Sequence, residues 1–197
     1  MGAGGHARVI SSILRVNEIE RAGFFDDSFC NDQELIQGVP VLGTFADIVN
    51  FKGTLCDVYL AIGNNLQRQE WFAFLERKDF ILPPLIHPSA LVEQDAAIGR
   101  ATVVCVGAIV CTQTKIGAGC IINTGCSIDH ESSVGGFSHL APGVTVAGRT
   151  DIGSNTFIGV NAAIADRIKI GDNVVIGAGS IVLADVPDNT RIVGVHK

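Results

Sequence analysis

An aliphatic residue recurs at every sixth position from Ile86 to Val182, seventeen times without a break. The series runs Ile86, Val92, Ile98, Val104 and Val110 through Ile128, Val134 and Leu140 to Ile170, Ile176 and Val182. Four residues after each of the first sixteen sits a small or β-branched residue, such as Ala90, Thr102, Thr156 or Ser180. In seven hexads the aliphatic residue is followed by Gly, as in Ile98-Gly99 and Ile176-Gly177. A helix requires apolar spacing near 3.6 and a simple strand a spacing of 2, so a strict six fits neither. It fits a solenoid of short strands and tight corners in which each coil stacks on the last. With three hexads to a triangular coil, seventeen hexads give 17/3, about 5.7 coils, and a prism roughly 27 Å long at about 4.8 Å per coil.

The first 82 residues carry a different pattern, an alternation of helix and strand. Arg8 to Val16 reads as an amphipathic helix, Ala22 to Asp27 as a strand ending in a turn, and Val39 to Leu42 as a second strand. Thr44 is placed to cap a helix through Asn50. Val58 to Ile62 reads as a buried strand closed by Gly63-Asn64. Asn64 or Asn65 then caps a helix to about Lys78, with Trp71, Phe74 and Leu75 inward. Such alternation predicts a parallel sheet and a small doubly wound, Rossmann-like α/β domain. Pro83-Pro84 ends it. The expected organisation is therefore 1–82 α/β, 83–187 parallel β-helix and 188–197 a C-terminal cap, mainly β overall.

Composition narrows the function classes. The 197 residues are 47% hydrophobic and only 17% charged, with 23 Gly, which suits many short strands and turns. A net charge of −6 argues against a nucleic-acid partner. No apolar run is long enough to span a membrane and no signal-peptide pattern opens the chain. The six Cys (30, 56, 105, 111, 120 and 126) form no CxxC pair, and Cys120 and Cys126 fall on the small-residue position of their hexads. The simplest reading is a reduced, cytoplasmic protein with no metal site.

Two signals carry chemistry. Gly2-Ala-Gly4-Gly5-His6-Ala7 fits G-x-G-x-x-A, with Asp26-Asp27 about twenty residues on. In a dinucleotide fold such glycines let backbone approach a diphosphate at a helix N-terminus while the acid holds a ribose. The motif ordinarily follows a strand, and here only Met1 precedes it; the same residues would also serve as a plain Gly-rich turn into a helix. The second signal is Asp129-His130-Glu131, with His139 nine residues on. His130 falls on a corner of the coil. An imidazole titrates near neutrality and suits proton abstraction, and an adjacent carboxylate fixes its tautomer and raises its basicity. Exposed polar corner residues would look the same by spacing alone. His87, His196, Glu93 and Asp95 read as solvated surface groups.

Taken in order, the GAGGH start, Asp26-Asp27, Ile62-Gly-Asn-Asn65, His130-Glu131 and the hexads resemble the sialic acid O-acetyltransferase family of left-handed β-helix acyltransferases. Within it they are most similar to the UDP-N-acetylbacillosamine N-acetyltransferases, which acetylate UDP-4-amino-4,6-dideoxy sugars. The resemblance covers nearly the whole chain. It implies a left-handed prism and an acetyl-CoA-dependent transfer to the sugar 4-amino group, without a metal. It further implies that Gly4, Gly5 and His6 contact the nucleotide-sugar, with Asp26, Asp27 and Gly63 at its uridine end. His130 would be the general base and Glu131 its partner, with Asn123 and Asp129 lining the same pocket. His139 would hold acetyl-CoA near its thioester, and Gly148, Val160 and Ala178 would track the pantetheine arm. The family assembles as homotrimers with active sites between subunits. Relatives begin with a strand before the Gly-rich loop and commonly end in Gly-Val-Pro-Ala-Lys, whereas this sequence ends Gly194-Val-His-Lys197.

Two other readings compete. The same base would serve an O-acetyltransferase of sialic acid or another sugar hydroxyl. A non-catalytic solenoid acting as a binding or scaffold protein would keep the hexads without the chemistry.

Overall fold

A computed structural model describes residues 1–28, 35–53 and 57–197. Cys30 and Cys56 lie outside the described residues. The hexads form a triangular prism of two-residue strands, β4 (Leu85–Ile86) through β22 (Val195–His196). Through β20 (Ile181–Val182) each strand pairs in parallel with the strand eighteen residues on, as Ile121 with His139 and Ser127 with Thr145, and the final rungs shorten to sixteen (Val175 with Arg191) and fourteen (Ile181 with Val195). Strands therefore stack into three parallel sheets, one per side of the prism. The first face holds Leu85, Val103, Ile121, His139, Phe157, Val175 and Arg191 at its outward positions. The second holds Leu91, Ile109, Ser127, Thr145, Ala163, Ile181 and Val195. The third holds Ala97, Lys115, Ser133, Asp151 and Lys169.

The two positional rules of the hexad follow from the winding. The second residue of each strand points inward, so Val104, Val110, Ile122, Ile128, Leu140, Ile158 and Ile176 are fully buried in one core. The residue that follows runs along the coil above. At Gly99 a Cβ would come within 2.5 Å of the Gly117 backbone, and at Gly159 within 2.5 Å of Ala178 N. That close approach is why Gly recurs there. Each corner then needs one left-handed residue: every sixth position from Ala101 to Gly179 has φ between +54° and +71°. Gly, or Asn as at Asn155, Asn161 and Asn173, meets that demand at low cost. Buried hydroxyls at the small positions bridge coils. Thr102 Oγ1 donates to Gly117 O at 2.7 Å and accepts from Cys120 N at 3.0 Å, and Ser138 repeats the pattern with Gly153 O and Thr156 N.

The N-terminal region packs on the first face. Helix α1 (Gly5–Val16) starts three residues before the expected Arg8, with Gly4 at the N-cap. Strands β1 (Phe24–Phe25) and β3 (Val39–Gly43) pair in parallel; β2 (Leu35–Ile36), unforeseen in the sequence, pairs antiparallel with β3. Thr44 and Asp47 form a capping box at the head of a 3₁₀ helix, Phe45–Phe51. Val58 to Ile62 is extended and almost wholly buried but carries no ladder. Its rungs go to Met1, through Met1 N to Tyr59 O and Ala61 N to Met1 O, both 2.6 Å, and to Ile81 O through Val58 N at 2.9 Å. The chain end thus takes the last place of a strand between β1 and this segment.

Helix α2 (Asn65–Arg77), capped by Asn64 Oδ1 on Gln67 N at 3.0 Å, lies along the corner between the third and first faces. Glu76 pairs with Arg100, Phe72 packs edge-on against Phe137 at 5.3 Å, and Asn65 Nδ2 donates to Asn155 O at 3.1 Å. The eleven steps from residue 65 to 76 rise about 16 Å at 1.5 Å each, and the three coils from Arg100 to Asn155 rise about 14 Å at 4.8 Å each. The helix is thus matched in length to the corner it covers. The tail after Asp188 is more than a plug: β21 (Arg191–Ile192) and β22 extend the first and second sheets by one rung each.

Candidate active site

Two groups of polar side chains stand out, on opposite sides of the second face. The first lies where the N-terminal region meets the prism. Gly2 has φ +98°, and a Cβ there would fall 2.6 Å from Ala61 O, so only Gly lets the turn lie against the extended segment. Asp26 Oδ2 accepts from Ala3 N at 2.6 Å and Oδ1 from Ser28. Burial pushes this carboxyl up, but those hydrogen bonds outweigh it and hold it below its ordinary value. Asp27 Oδ1 accepts from Phe45 N at 3.0 Å. Both acids therefore hold loops in place, and Gly4, Gly5 and Gly63 are exposed beside them.

His6 opens α1 and its buried Nε2 has no partner among the described residues. His139, on strand β13 (His139–Leu140), packs edge-on against Phe157 at 5.2 Å, and its Nε2 lies 3.2 Å from Asn123 Nδ2. Since an amide nitrogen only donates, that contact puts the His139 proton on Nδ1. Desolvation, followed by the nearby charge of Arg68, lowers both histidines to about 4. They are neutral at pH 7. His139 thus sits with His6, Gly63 and Asn123.

The second group lies at the corner between the second and third faces. His130 Nδ1 is 3.0 Å from Glu131 Oε2, and the same oxygen accepts from Arg149 Nε at 2.9 Å. The His130 and Arg149 hydrogen bonds hold the Glu131 carboxyl below its usual value. Glu131 takes the left-handed corner conformation, φ +56°, which turns its side chain back toward the ring. Asp129 Oδ1 accepts from His130 N at 2.7 Å and fixes the corner. With the Nδ1 proton directed at Glu131, Nε2 keeps its lone pair, and it has no partner among the described residues. Gly148, one coil above, is buried directly against the ring. Val160 and Ala178 are exposed on the opposite corner, between the first and second faces. Within one chain the structure therefore brings His130, Glu131, Asp129 and Gly148 together, and His6, Gly63, Asn123 and His139 together, but does not join the two groups.

Sequence reading missed Arg68, Phe157 and Arg149. Arg149 was recoverable, because it stands eighteen residues after Glu131 and must lie one coil above it. Arg68 carried no periodic signal. Three buried cysteines are poor nucleophiles: burial pushes the Cys105 thiol up to about 12 and Cys120 to about 11, and raises Cys126 likewise. No group of three or more His, Cys, Asp or Glu suited to a metal exists among the described residues. No helix of the described residues is long and apolar enough to cross a membrane.

A parallel hexad prism with a His–Glu pair on one corner and a Gly-rich helix start docked on a neighbouring face defines a hexapeptide-repeat acyltransferase. Residues 1–75 match the PglD N-terminal domain, and residues 149–184 match the bacterial transferase hexapeptide, six repeats. A perosamine N-acetyltransferase from Caulobacter crescentus, crystallised as a variant with CoA and GDP-perosamine, aligns with TM-score 0.94 and 32% identity over 98% of this chain and 91% of its own. The acetyltransferase domain of PglB from Neisseria gonorrhoeae, in complex with acetyl coenzyme A, gives 0.91 and 33% over 98% and 93%. The UDP-N-acetylbacillosamine N-acetyltransferase of Bacillus subtilis is 34% identical over 112 residues, 53% of this chain and 49% of that protein. The match thus spans about half the length of this curated relative. The chain belongs to the hexapeptide-repeat acetyltransferases that carry a PglD-type N-terminal domain.

Proposed function

We propose that the protein transfers an acetyl group from acetyl-CoA to the amino group of a nucleotide-linked amino-dideoxy sugar. The observation that carries this reading is the His130–Glu131 pair: a half-exposed imidazole with Nδ1 engaged by a carboxylate and Nε2 free to accept a proton. Support comes from the Gly-rich turn at the head of α1, whose N-cap has no side-chain partner and whose backbone N–H groups suit a diphosphate. The perosamine N-acetyltransferase is in complex with CoA and GDP-perosamine and the PglB domain with acetyl coenzyme A, which supports the same two classes of substrate here.

In this mechanism the neutral amine attacks the thioester carbonyl and forms the C–N bond. His130 Nε2 takes the amine proton, and the imidazolium so formed is stabilised by Glu131. Backbone N–H groups hold the developing oxyanion. The C–S bond breaks, the sulfur leaves with the pair, and the proton passes to it to give free CoA. The transfer is direct and no enzyme-bound acyl group forms.

The reading extends to assembly. The prism winds left-handed and three prisms pack through their second faces. That face is exposed and nearly free of charge, with Leu91, Ile109, Ile181 and Val195 between 39 and 58% exposed. The first face is covered in its lower coils by the N-terminal region, and the third carries Lys115, Asp151 and Lys169 toward solvent. Packing through the second face brings the His130 corner of one subunit toward the Asn123–His139 corner of its neighbour. The site is then composite, with residues 1–82 supplying the nucleotide end and Gly148, Val160 and Ala178 flanking the CoA arm. Since both substrates are cytoplasmic metabolites, the protein works there.

The test incubates the protein with acetyl-CoA and either GDP-perosamine or a UDP-4-amino-4,6-dideoxy sugar and follows CoA release. Turnover with an alkali-stable product supports N-acetylation. An alkali-labile product would favour an O-acetyltransferase. No release with any amino-sugar nucleotide would overturn the reading and favour a non-catalytic solenoid.

A further inference from the structure

Arg68 is 1% exposed on the prism-facing side of α2. Its guanidinium has no carboxylate partner among the described residues. All its partners are neutral oxygens: Gly119 O at 2.6 Å, Ile62 O at 3.0 Å, Gly63 O at 3.1 Å, Asn65 Oδ1 at 2.9 Å and Phe137 O at 2.8 Å. A buried cation without a counter-charge is costly, so something other than core filling retains it.

The five acceptors come from three separate places. Ile62 and Gly63 end the buried extended segment, Asn65 opens α2, and Gly119 and Phe137 are corner residues of two successive coils. A rigid planar fork with five donors sets the relative position of all three, which a Lys ammonium cannot do. The Gly63 end also sets the neighbouring turn, because Ala61 N donates to Met1 O and Ala61 O lies where a Gly2 Cβ would be. On the far side of the fork stand His6 and His139, both close enough to feel its charge.

We infer that Arg68 is a positioning residue for the nucleotide end of the acceptor: it fixes the Gly63 loop, and through it the Gly2–His6 turn, against the prism wall that carries His139 and Asn123. This rests on the reading that the Gly-rich turn receives a nucleoside diphosphate. Arg68 acts through the loops it holds, since all its donors are already used. Its charge adds an attraction for an anionic ligand that no protein carboxylate cancels.

The test measures UDP, GDP and CoA binding by calorimetry, and KM for each substrate, in the full chain. Arg68→Lys keeps the charge and loses the fork. It is expected to weaken the better-bound nucleoside diphosphate at least tenfold, while CoA affinity and kcat stay within threefold. Arg100→Ala, which removes an exposed ion pair from the same helix, serves as the docking control and should leave nucleotide affinity within twofold. Should Arg68→Lys fail to fold, Asn65→Asp supplies the missing counter-charge but gives up the Nδ2 bonds to Asn155 O and Thr156 O, so it is read against Arg100→Ala; it should weaken nucleotide binding more than that control does and spare CoA. Equal loss of nucleotide and CoA affinity, equal losses in Arg68→Lys and Arg100→Ala, or no loss in either site variant would overturn the assignment. A wild-type protein that binds nucleotide but never releases CoA would refute the acetyltransferase reading and leave the role of Arg68 standing.

Discussion

The ring of His130 lies over the Cα of Gly148, one coil above, so closely that a Cβ at 148 would sit 2.7 Å from both Cε1 and Nε2. Gly148 has no positive φ, so the backbone itself would accept Ala. Gly148→Ala therefore acts on the imidazole alone and swings it from its place. We expect kcat to fall roughly ten- to a hundredfold, since small misplacements of a reacting group have effects of that size. The melting temperature should shift little, because the displaced ring is half exposed. Unchanged kcat would show that His130 does not work from this position.

Glu131 Oε2 is shared between His130 and Arg149, so an imidazole and a permanent cation share one acceptor. Glu131→Gln should lower kcat by about ten- to a hundredfold, the usual loss when an orienting partner of a histidine is removed. Its effect should lie in kcat with KM for acetyl-CoA nearly constant. A change confined to KM would instead make Glu131 a binding group.

His6 and His139, at about 4, and the buried Met1 amino group, at about 5, all give up protons on folding, because desolvation disfavours their charged forms. The unfolded histidines titrate at 6.5 and the unfolded amino group at 8.0, so between those values and the folded ones the unfolded chain binds more protons. Stability is therefore full above pH 8 and lost as pH falls, first through the amino group and then, from 6.5 toward 4, through both histidines. Each group contributes a slope of up to about 1.4 kcal/mol per pH unit inside its window. Thermal melts from pH 8 to pH 4.5 should show the fall, and His139→Gln should flatten it below pH 6.5. A flat profile would mean that these groups are solvated.

The hexad positions made the prism legible down to its corners, because one six-residue rule dictates inward side chain, stacking contact and left-handed turn at once. The pair His130-Glu131 was legible for the converse reason: the winding needs neither residue. Helix α2 was legible only in part. Trp71, Phe74 and Leu75 look inward by size, yet the residues it turns fully inward are Arg68, Phe72 and Leu75. Its partner is a ridge of exposed carbonyls along a prism corner, and no local pattern encodes a charged residue sought by a distant backbone. Likewise Val58 to Ile62 reads as a strand by composition, but its ladder depends on a neighbour that the segment itself does not specify.

A cavity of about 460 Å³ lies between β1 and the extended segment, lined by Met1, Ile10, Leu14, Phe24, Val58 and Tyr59 among others. Met1 and Gly2 already form rungs to both sides, to Tyr59 and Ala61 on one and Phe25 on the other. A four-residue β-branched extension ahead of Met1 would continue both ladders and replace the buried amino group with a neutral amide. Burying two or three such side chains contributes about 1.5–3 kcal/mol each before the entropy of ordering them. The melting temperature should rise by about 5 °C or more, whereas a Gly-Ser extension of equal length should leave it unchanged or lower. Equal effects of the two extensions would show that the cavity does not accept a strand.

In the proposed trimer, assembly and activity are linked. His130 and His139 stand on opposite sides of the second face, so on that reading the base of one subunit serves an acceptor held beside His139 of its neighbour. Ala163 lies in the middle of that face, exposed, with Thr145 and Ile181 as its ladder neighbours. An arginine there would place a charge in the centre of an apolar contact, three times over in a trimer, where it could find neither solvent nor partner. Ala163→Arg should therefore sediment as a monomer with a melting curve of its own, and CoA release should fall at least a hundredfold although every site residue is intact. A monomeric variant that retains turnover would place the whole reaction within one chain and would require His130 to reach its acceptor around the prism corner. A trimeric variant with full activity would move the contact to another face.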